Sequence, residues 1–371
     1  MDLLGTNTRR LVARLLLLAA LAATVAACGD STTTNAPAAT TTQTPATTAA
    51  PGDQGWQRIV PGGNCQCSDG SEFTFWVRKA NPKKVVLYLQ DGGACFSAET
   101  CAPDSGVYQT KADEGPTGEG GIFDFADGRN PFADHSVVYV PYCTGDVHIG
   151  NATTKYAPGL TVQHKGYVNG TAALAHLAAT FPGATDVVVI GASAGSVAAP
   201  LYGGLVSDRL PNARITVLAD GSGSYPDLPR MNQIIAAWGS GDALPRWPEQ
   251  ARGTAERWSF PGLFIQSGRH DPEIVFARHD YAYDDHQAGW FPRAGMRAGD
   301  LLSRIDANET QVEDAGVNLL SYIAPGDEHT VLTDGGFYTE TVNGEKLVDW
   351  VTRLIEGEPV DDVHCRECRV G

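Results

Sequence analysis

The 371-residue chain carries 27 Lys and Arg against 43 Asp and Glu, a formal net charge of −16, with 42% hydrophobic residues. So negative a surface repels phosphate backbones and argues against a nucleic-acid partner, and 19% charged residues is too few for a solvated disordered chain or a long charged coiled coil. The length allows one large domain or two ordinary ones, and 12 Phe, 12 Tyr and 7 Trp supply a packed core and aromatic cleft walls.

Residues 1–27 read as an export signal. Arg9, Arg10 and Arg14 form a positive start, and an apolar run follows over residues 15–27. At about 1.5 Å per residue that run falls short of a roughly 30 Å hydrocarbon core, so it suits a secretory signal better than a permanent span. It ends in Val25-Ala26-Ala27-Cys28, which resembles a bacterial lipoprotein signal and makes Cys28 the expected lipidated N-terminus of a cell-surface protein anchored to a bacterial membrane. Thr8-Arg9-Arg10 partly fits a twin-arginine signal, which leaves the export route open. Residues 31–51 are Thr, Ala and Pro apart from Ser31, Asn35 and Gln43, a composition with no apolar face. Residues 28–54 are therefore expected to be a disordered tether, and residues 55–371 a single domain.

From Trp56 the pattern alternates strand and helix. Strands are predicted at 73–78, 84–90 (KVVLYLQ), 136–142 (SVVYVPY), 186–190 (DVVVI), 214–218 (RITVL), 263–266 (LFIQ) and 319–323 (LLSYI). Helices are predicted at 165–180, 196–210 and 298–313. Continuous apolar strands separated by helices imply an α/β fold, a mostly parallel sheet with helices on both faces.

Directly after DVVVI, Gly191-Ala192-Ser193-Ala194-Gly195 fits G-x-S-x-G between a strand and a helix, the context of an α/β-hydrolase nucleophile elbow. Glycines allow the tight turn that lifts the Ser193 hydroxyl above the sheet. That hydroxyl needs a base, and the base needs an acid to orient it. The acid of such a fold follows the second strand after the nucleophile strand, and the histidine follows the next. Counting RITVL, LFIQ and LLSYI as those strands makes Asp271 the expected acid and His329 the expected base. Glu273, Asp280, Asp284 and Asp285 compete with Asp271; Asp220 ends a strand one place too early and is expected to bind a turn amide. Two amides should form the oxyanion hole: Ala194 after the nucleophile, and Gly93 or Gly92 in the turn after KVVLYLQ, with Gly93 slightly preferred.

The run VVLYLQDGGACFSAETC, then VPYCTGD, GASAGS and DEH, resembles the pectinacetylesterase/Notum family over about residues 64–335. The resemblance implies an α/β-hydrolase with Ser193, Asp271 and His329 as its triad, and a disulfide between Cys67 and Cys143. Family members remove acetyl groups from pectin or a fatty acyl group from a protein. Ala94 stands where a bulky aromatic is frequent in the family, so the acyl side is expected to be roomier than acetate needs. Setting Cys28 aside, seven cysteines remain, and an oxidising compartment favours disulfides over a metal site. Cys95 with Cys101 closes a short loop, and a third bridge is expected from Cys65 to Cys365 or Cys368. Among Trp238, Trp247, Trp258 and Trp290, one or two are expected to wall the cleft.

These features predict a monomeric, cofactor-free and metal-free serine ester hydrolase. The favoured substrate is an acetylated polysaccharide. An aliphatic polyester depolymerase or lipase-like esterase is the alternative within the same chemistry, and a non-catalytic surface binding module is the alternative outside it.

Overall fold

A computed structural model of the chain describes residues 47–49, 55–112, 115–116, 120–247 and 258–369. The expected export signal, Cys28 and most of the tether lie outside the described residues. Thr47–Ala49 (β1) departs from the tether expectation by pairing antiparallel with Trp56–Ile59 (β2) at the edge of the sheet. An edge strand needs only backbone pairing, and Thr favours extended backbone, so the missing apolar face did not prevent it.

Phe75–Arg78 (β3), Asn81–Leu89 (β4) and His135–Val140 (β5) follow, then Ala152–Ala157 (β6) and Leu160–His164 (β7), which form a separate hairpin. The chain then runs through Gly166–Thr180 (α1), Asp186–Ala192 (β8), Ala194–Arg209 (α2), Arg214–Asp220 (β9), Pro229–Ala237 (α3), Ser240–Ala243 (α4) and Phe260–His270 (α5). Val275–Tyr281 (β10), Asp285–Arg293 (α6), Leu301–Asp314 (α7) and Leu319–Ala324 (β11) come next. Thr341–Val342 (β12), Glu345–Lys346 (β13), Leu347–Glu356 (α8) and Val363–His364 (β14) complete the described elements. The main sheet has the order β1-β2-β3-β5-β4-β8-β9-β10-β11-β14. Its pairings are antiparallel from β1 to β5 and parallel from β5 to β14.

Successive residues of a strand point to opposite faces, and both faces of this sheet are covered. Val85, Leu87 and Leu89 of β4 pack with Leu174 and Leu177 of α1, Val197 of α2 and Leu263 of α5. Val86 and Tyr88, one residue out of phase, pack with Trp350, Val351 and Leu354 of α8. No helix among the described residues is long and apolar enough to cross a membrane.

One predicted strand is wrong. The LFIQ run lies inside helix α5, where Ser259 accepts the Gly262 amide at 3.1 Å as N-cap and Pro261 occupies the first turn. A short apolar run fits a buried helix as well as a strand, and the cap should have decided between them. The strand at this place in the sheet is β10, whose sequence VFARHDY looks too polar to be buried yet is almost entirely so.

The cysteines pair as Cys67–Cys143, Cys95–Cys101 and Cys365–Cys368, and Cys65 is the free thiol among the described residues. The expected bridge from Cys65 to Cys365 or Cys368 is therefore incorrect. Cys65 lies beside α1, its Sγ 3.9 Å from the Val168 carbonyl, whereas Cys365 and Cys368 follow β14 at the far sheet edge. From β4, under α1, to β14 is five strand spacings, about 24 Å. The Cys67–Cys143 bridge closes a separation of 76 residues, which restricts the unfolded chain far more than the separation of 6 at Cys95–Cys101. Replacing Cys67 and Cys143 with Ser should cost about 2–5 kcal/mol in urea unfolding, and the same change at Cys95 and Cys101 should cost less.

Candidate active site

Ser193 sits at the β8–α2 junction with φ 48° and ψ −112°, a strained conformation for a non-glycine residue. The turn is this tight because Gly195 lets α2 approach β4: a Cβ there would lie 2.0 Å from the Leu89 carbonyl oxygen. The Ser193 amide donates to the Asp220 carbonyl at 2.7 Å, which ties the turn to the end of β9.

The turn after β11 brings His329 to this serine. Its Nε2 lies 2.7 Å from Ser193 Oγ, and its Nδ1 lies 2.7 Å from Asp284 Oδ2. A carboxylate on Nδ1 selects the tautomer with hydrogen there, which leaves Nε2 free to accept from the serine hydroxyl. Asp284 is the N-cap of α6 and fully buried: Oδ1 accepts the Gln287 amide at 2.9 Å, and Oδ2 accepts Gln287 Nε2 at 3.0 Å. Gln287 is itself oriented by Ser224, whose amide and hydroxyl donate to Gln287 Oε1 at 3.0 and 2.7 Å.

Asp271 is not part of this constellation. It caps the C-terminus of α5 and accepts the Glu273 amide at 3.1 Å, so it serves a turn. The difference came from the strand assignment and not from the topological rule: a carboxylate that reaches His329 does follow the second strand after β8, but that strand is β10 and the carboxylate is Asp284. A legible signal was the spacing Asp284-x-x-Gln287, a capping pattern that marks a helix start and so a strand end just before it. Of the other competitors, Asp280 accepts the Gly223 amide at 2.7 Å and Gln287 Nε2 at 3.0 Å. Asp220 also differs from expectation, accepting the Val331 and Leu332 amides at 2.9 and 3.0 Å instead of a local turn amide.

Gly93 and Ala194 flank Ser193 at the mouth of an apolar cavity, while Gly92 borders only the neighbouring polar cleft. Gly93 has φ +75°, and a Cβ there would lie 2.0 Å from the Val107 carbonyl oxygen, so no other residue fits. Neither the Gly93 nor the Ala194 amide donates to an acceptor among the described residues. The apolar cavity encloses about 550 Å³ of empty space, mouth included, with Phe96, Met231, Trp238, Trp290 and Met296 among its walls. Ala94 borders it too. A second cleft that also borders Ser193 is larger, about 1300 Å³ with its open mouth, and more polar, with Asp91, Tyr108, Gln109, His286 and Arg293 along it. Trp238 and Trp290 thus wall the site, whereas Trp247 packs on Trp258 and stacks on His270. His286, which the sequence did not single out, stacks on the His329 ring at 4.7 Å.

Burial disfavours a charged His329, but the Asp284 hydrogen bond and the negative charges of Asp284, Asp220 and Asp91 outweigh it and raise its pKa above the ordinary value. Among the described residues, the side-chain clusters with a metal-ligand spacing are Cys95, Cys101 and His164, and His364, Cys365 and Cys368. Their cysteines are disulfide-bonded and have no thiolate to offer.

The pectinacetylesterase family model matches residues 59–236, from β2 through the Ser193 turn into α3. Over that stretch the chain is a pectinacetylesterase-family match. The palmitoleoyl-protein carboxylesterase NOTUM of Schmidtea mediterranea is 32% identical over 100 residues, 25% of this chain and 19% of that protein. The palmitoleoyl-protein carboxylesterase notum2 of Xenopus laevis is 31% identical over 93 residues, 24% of this chain and 19% of that protein. The aligned chain thus spans about a fifth of the length of these curated relatives. The crystal structure of the Wnt deacylase Notum from Drosophila superposes with a TM-score of 0.62 at 16% identity, over 84% of this chain and 95% of that one. The fold is that of an α/β-hydrolase. The three disulfides suit an oxidising compartment.

Two substitutions separate Asp284 from Asp271. Asp284→Asn should lower kcat by up to about 10⁴, the cost of the wrong tautomer in a comparable triad, and should move the acid limb of kcat/KM to lower pH by removing a charge that holds the His329 proton. Asp271→Asn should leave both unchanged. Hydrolysis of a p-nitrophenyl ester across pH measures the two effects, and the reverse ranking would remove Asp284 from the site.

Proposed function

We propose that this chain is a serine carboxylic ester hydrolase. The observation that carries the reading is the 2.7 Å contact of Ser193 Oγ with His329 Nε2, continued at 2.7 Å to Asp284. His329 takes the serine proton as Ser193 Oγ attacks the ester carbonyl, and Asp284 stabilises the imidazolium that forms. The Gly93 and Ala194 amides receive the developing oxyanion. His329 then returns the proton to the leaving alcohol, and a water that it activates hydrolyses the acyl-enzyme. A non-catalytic binding module would have no use for a hydroxyl, an imidazole and a buried carboxylate in line.

The two cavities at Ser193 divide the substrate. The apolar one suits the acyl chain, because Phe96, Met231, Trp238, Trp290 and Met296 line it, no charged side chain does, and Ala94 puts no bulky group into it. The polar cleft suits a hydroxylated leaving group such as a glycan. Acylated carbohydrate is therefore the favoured substrate class, with a medium-length acyl group on the apolar side. The width and polarity of the cleft also favour a second reading, deacetylation of a polysaccharide, which agrees with the family match. An aliphatic polyester, with hydroxy-acid units on both sides of Ser193, belongs to the same chemistry.

Ser193→Ala should reduce turnover by several orders of magnitude with an unchanged melting temperature, since loss of a triad nucleophile has that effect elsewhere. With the wild type, kcat/KM along a p-nitrophenyl series from acetate to octanoate should hold or rise to butyrate or hexanoate, each buried CH₂ adding about 0.8 kcal/mol. Ala94→Trp should fill the cavity and reverse that order. A steep fall beyond acetate, unaltered by Ala94→Trp, would select the acetylesterase reading.

The N-terminal sequence supports export and anchoring through a lipidated Cys28, with the Thr-rich segment holding the domain away from the membrane. Two acyl chains anchor a soluble domain durably, at about 0.8 kcal/mol per buried CH₂. Cys28→Ser should move the protein from the membrane fraction to the soluble fraction or stall its processing. Wild-type protein whose mature N-terminus bears no lipid would refute the anchor.

A further inference from the structure

Behind the Ser193–His329 contact lies a second histidine that the proposed chemistry does not use. The His279 side chain, in β10, is fully buried between two carboxylates, with Nδ1 2.8 Å from Asp220 Oδ1 and Nε2 2.9 Å from Glu340 Oε1. An imidazole with an acceptor at each nitrogen satisfies both only when both carry hydrogen, as the imidazolium. Burial opposes that charge, but Glu340 and Asp220 outweigh it and push the pKa up to about 10.

Asp220 has every acceptor committed to the site. Its carbonyl takes the Ser193 amide at 2.7 Å, and its Oδ2 takes the Val331 and Leu332 amides just past His329 at 2.9 and 3.0 Å. Its remaining oxygen faces His279. One residue thus grips the nucleophile turn with its backbone and the histidine loop with its side chain. Thr330, between His329 and the gripped amides, has φ +62°, a conformation a β-branched residue keeps only when its surroundings impose it.

We propose that Asp220, locked by the His279 imidazolium and Glu340, is a positioning residue that sets the Ser193–His329 contact and supplies a fixed negative charge behind His329. This rests on the reading of Ser193 and His329 as the reacting pair. His329 is faced by Asp284 and His286 from α6, by Asp220 from β9 and by Asp91 from the turn after β4. His279 is faced by Asp220, Glu340, the rings of Tyr281 and Tyr322, and the charge of Asp334. A negative Asp220 favours the His329 imidazolium formed during reaction, and a positive His279 limits how far it does so.

The test uses the full chain carrying Asp220→Asn or His279→Gln, with thermal melting as the control for folding. Asp220→Asn keeps an oxygen for the Val331 and Leu332 amides but removes the charge. Its kcat should fall about ten- to a hundredfold with KM little changed, the scale of a misplaced catalytic group, and the acid limb of kcat/KM should move to lower pH. His279→Gln leaves Asp220 uncompensated and should move that limb to higher pH. Folded variants with wild-type kcat and an unmoved limb would overturn the proposal. Wild-type ¹⁵N-histidine NMR decides the matter without turnover or variants: His279 should keep both ring N–H protons well into alkaline pH. A His279 that loses a proton near the ordinary value of about 6.5 overturns the proposal. Activity retained by Ser193→Ala would defeat the proposed function instead, and leave the NMR result to stand or fall alone.

Discussion

Charge buried inside a sheet has to be matched where it lies, and among the described residues of this molecule that demand falls most heavily on one strand. Arg278, His279 and Asp280 are consecutive in β10 and all buried. Arg278 pairs with Glu309 of α7 and meets Ser321 of β11 at 3.1 Å, His279 bridges two carboxylates, and Asp280 takes the Gly223 amide and Gln287. Removing one member of a buried pair typically costs about 3–5 kcal/mol because it leaves the other charge uncompensated, so each of these groups needs its partner where it is. Their partners are the segments that carry the site. Gln287 links Asp280 to Asp284, and Asp220 links His279 to the loop of His329.

The serine is held differently. Its turn depends on close backbone approach and on apolar β-strands buried on both faces, and the charged groups around it come from the segments that follow β4, β9, β10 and β11. Ser193 therefore stands at a boundary between an aromatic and methionine-lined cavity and a more polar cleft. An ester is a molecule with the same division, an acyl part and an alcohol part meeting at one carbonyl.

What could be read in the sequence followed from how each element is stabilised. β4, β8 and β9 are runs of Val, Ile and Leu, and the glycine turn after β8 has a spacing that few other structures need, so Ser193 was plain. His329 followed from topology once β11 was placed. β10 was illegible because its central residues are charged, and only the tertiary partners make them compatible with burial. The LFIQ run offered itself as a substitute, and with it Asp271. The cap residues Ser259 and Asp284 carried the information that would have resolved the choice, since a cap marks a helix start whatever the apolar pattern suggests. The Cys365–Cys368 pairing was hidden for another reason: proximity to Cys65 depends on strand order across the whole sheet, and spacing along the chain says nothing of it.

Cys65, unpaired among the described residues, lies two residues from the bridged Cys67, an arrangement that invites exchange during oxidative folding. Exchange requires the thiolate, and burial pushes the Cys65 pKa up to about 11. At neutral pH the reactive form is then much rarer than for an exposed cysteine. A thiol left outside the disulfides is tolerable in an oxidising compartment when it is kept chemically silent, and in this fold the packing beside α1 supplies that silence.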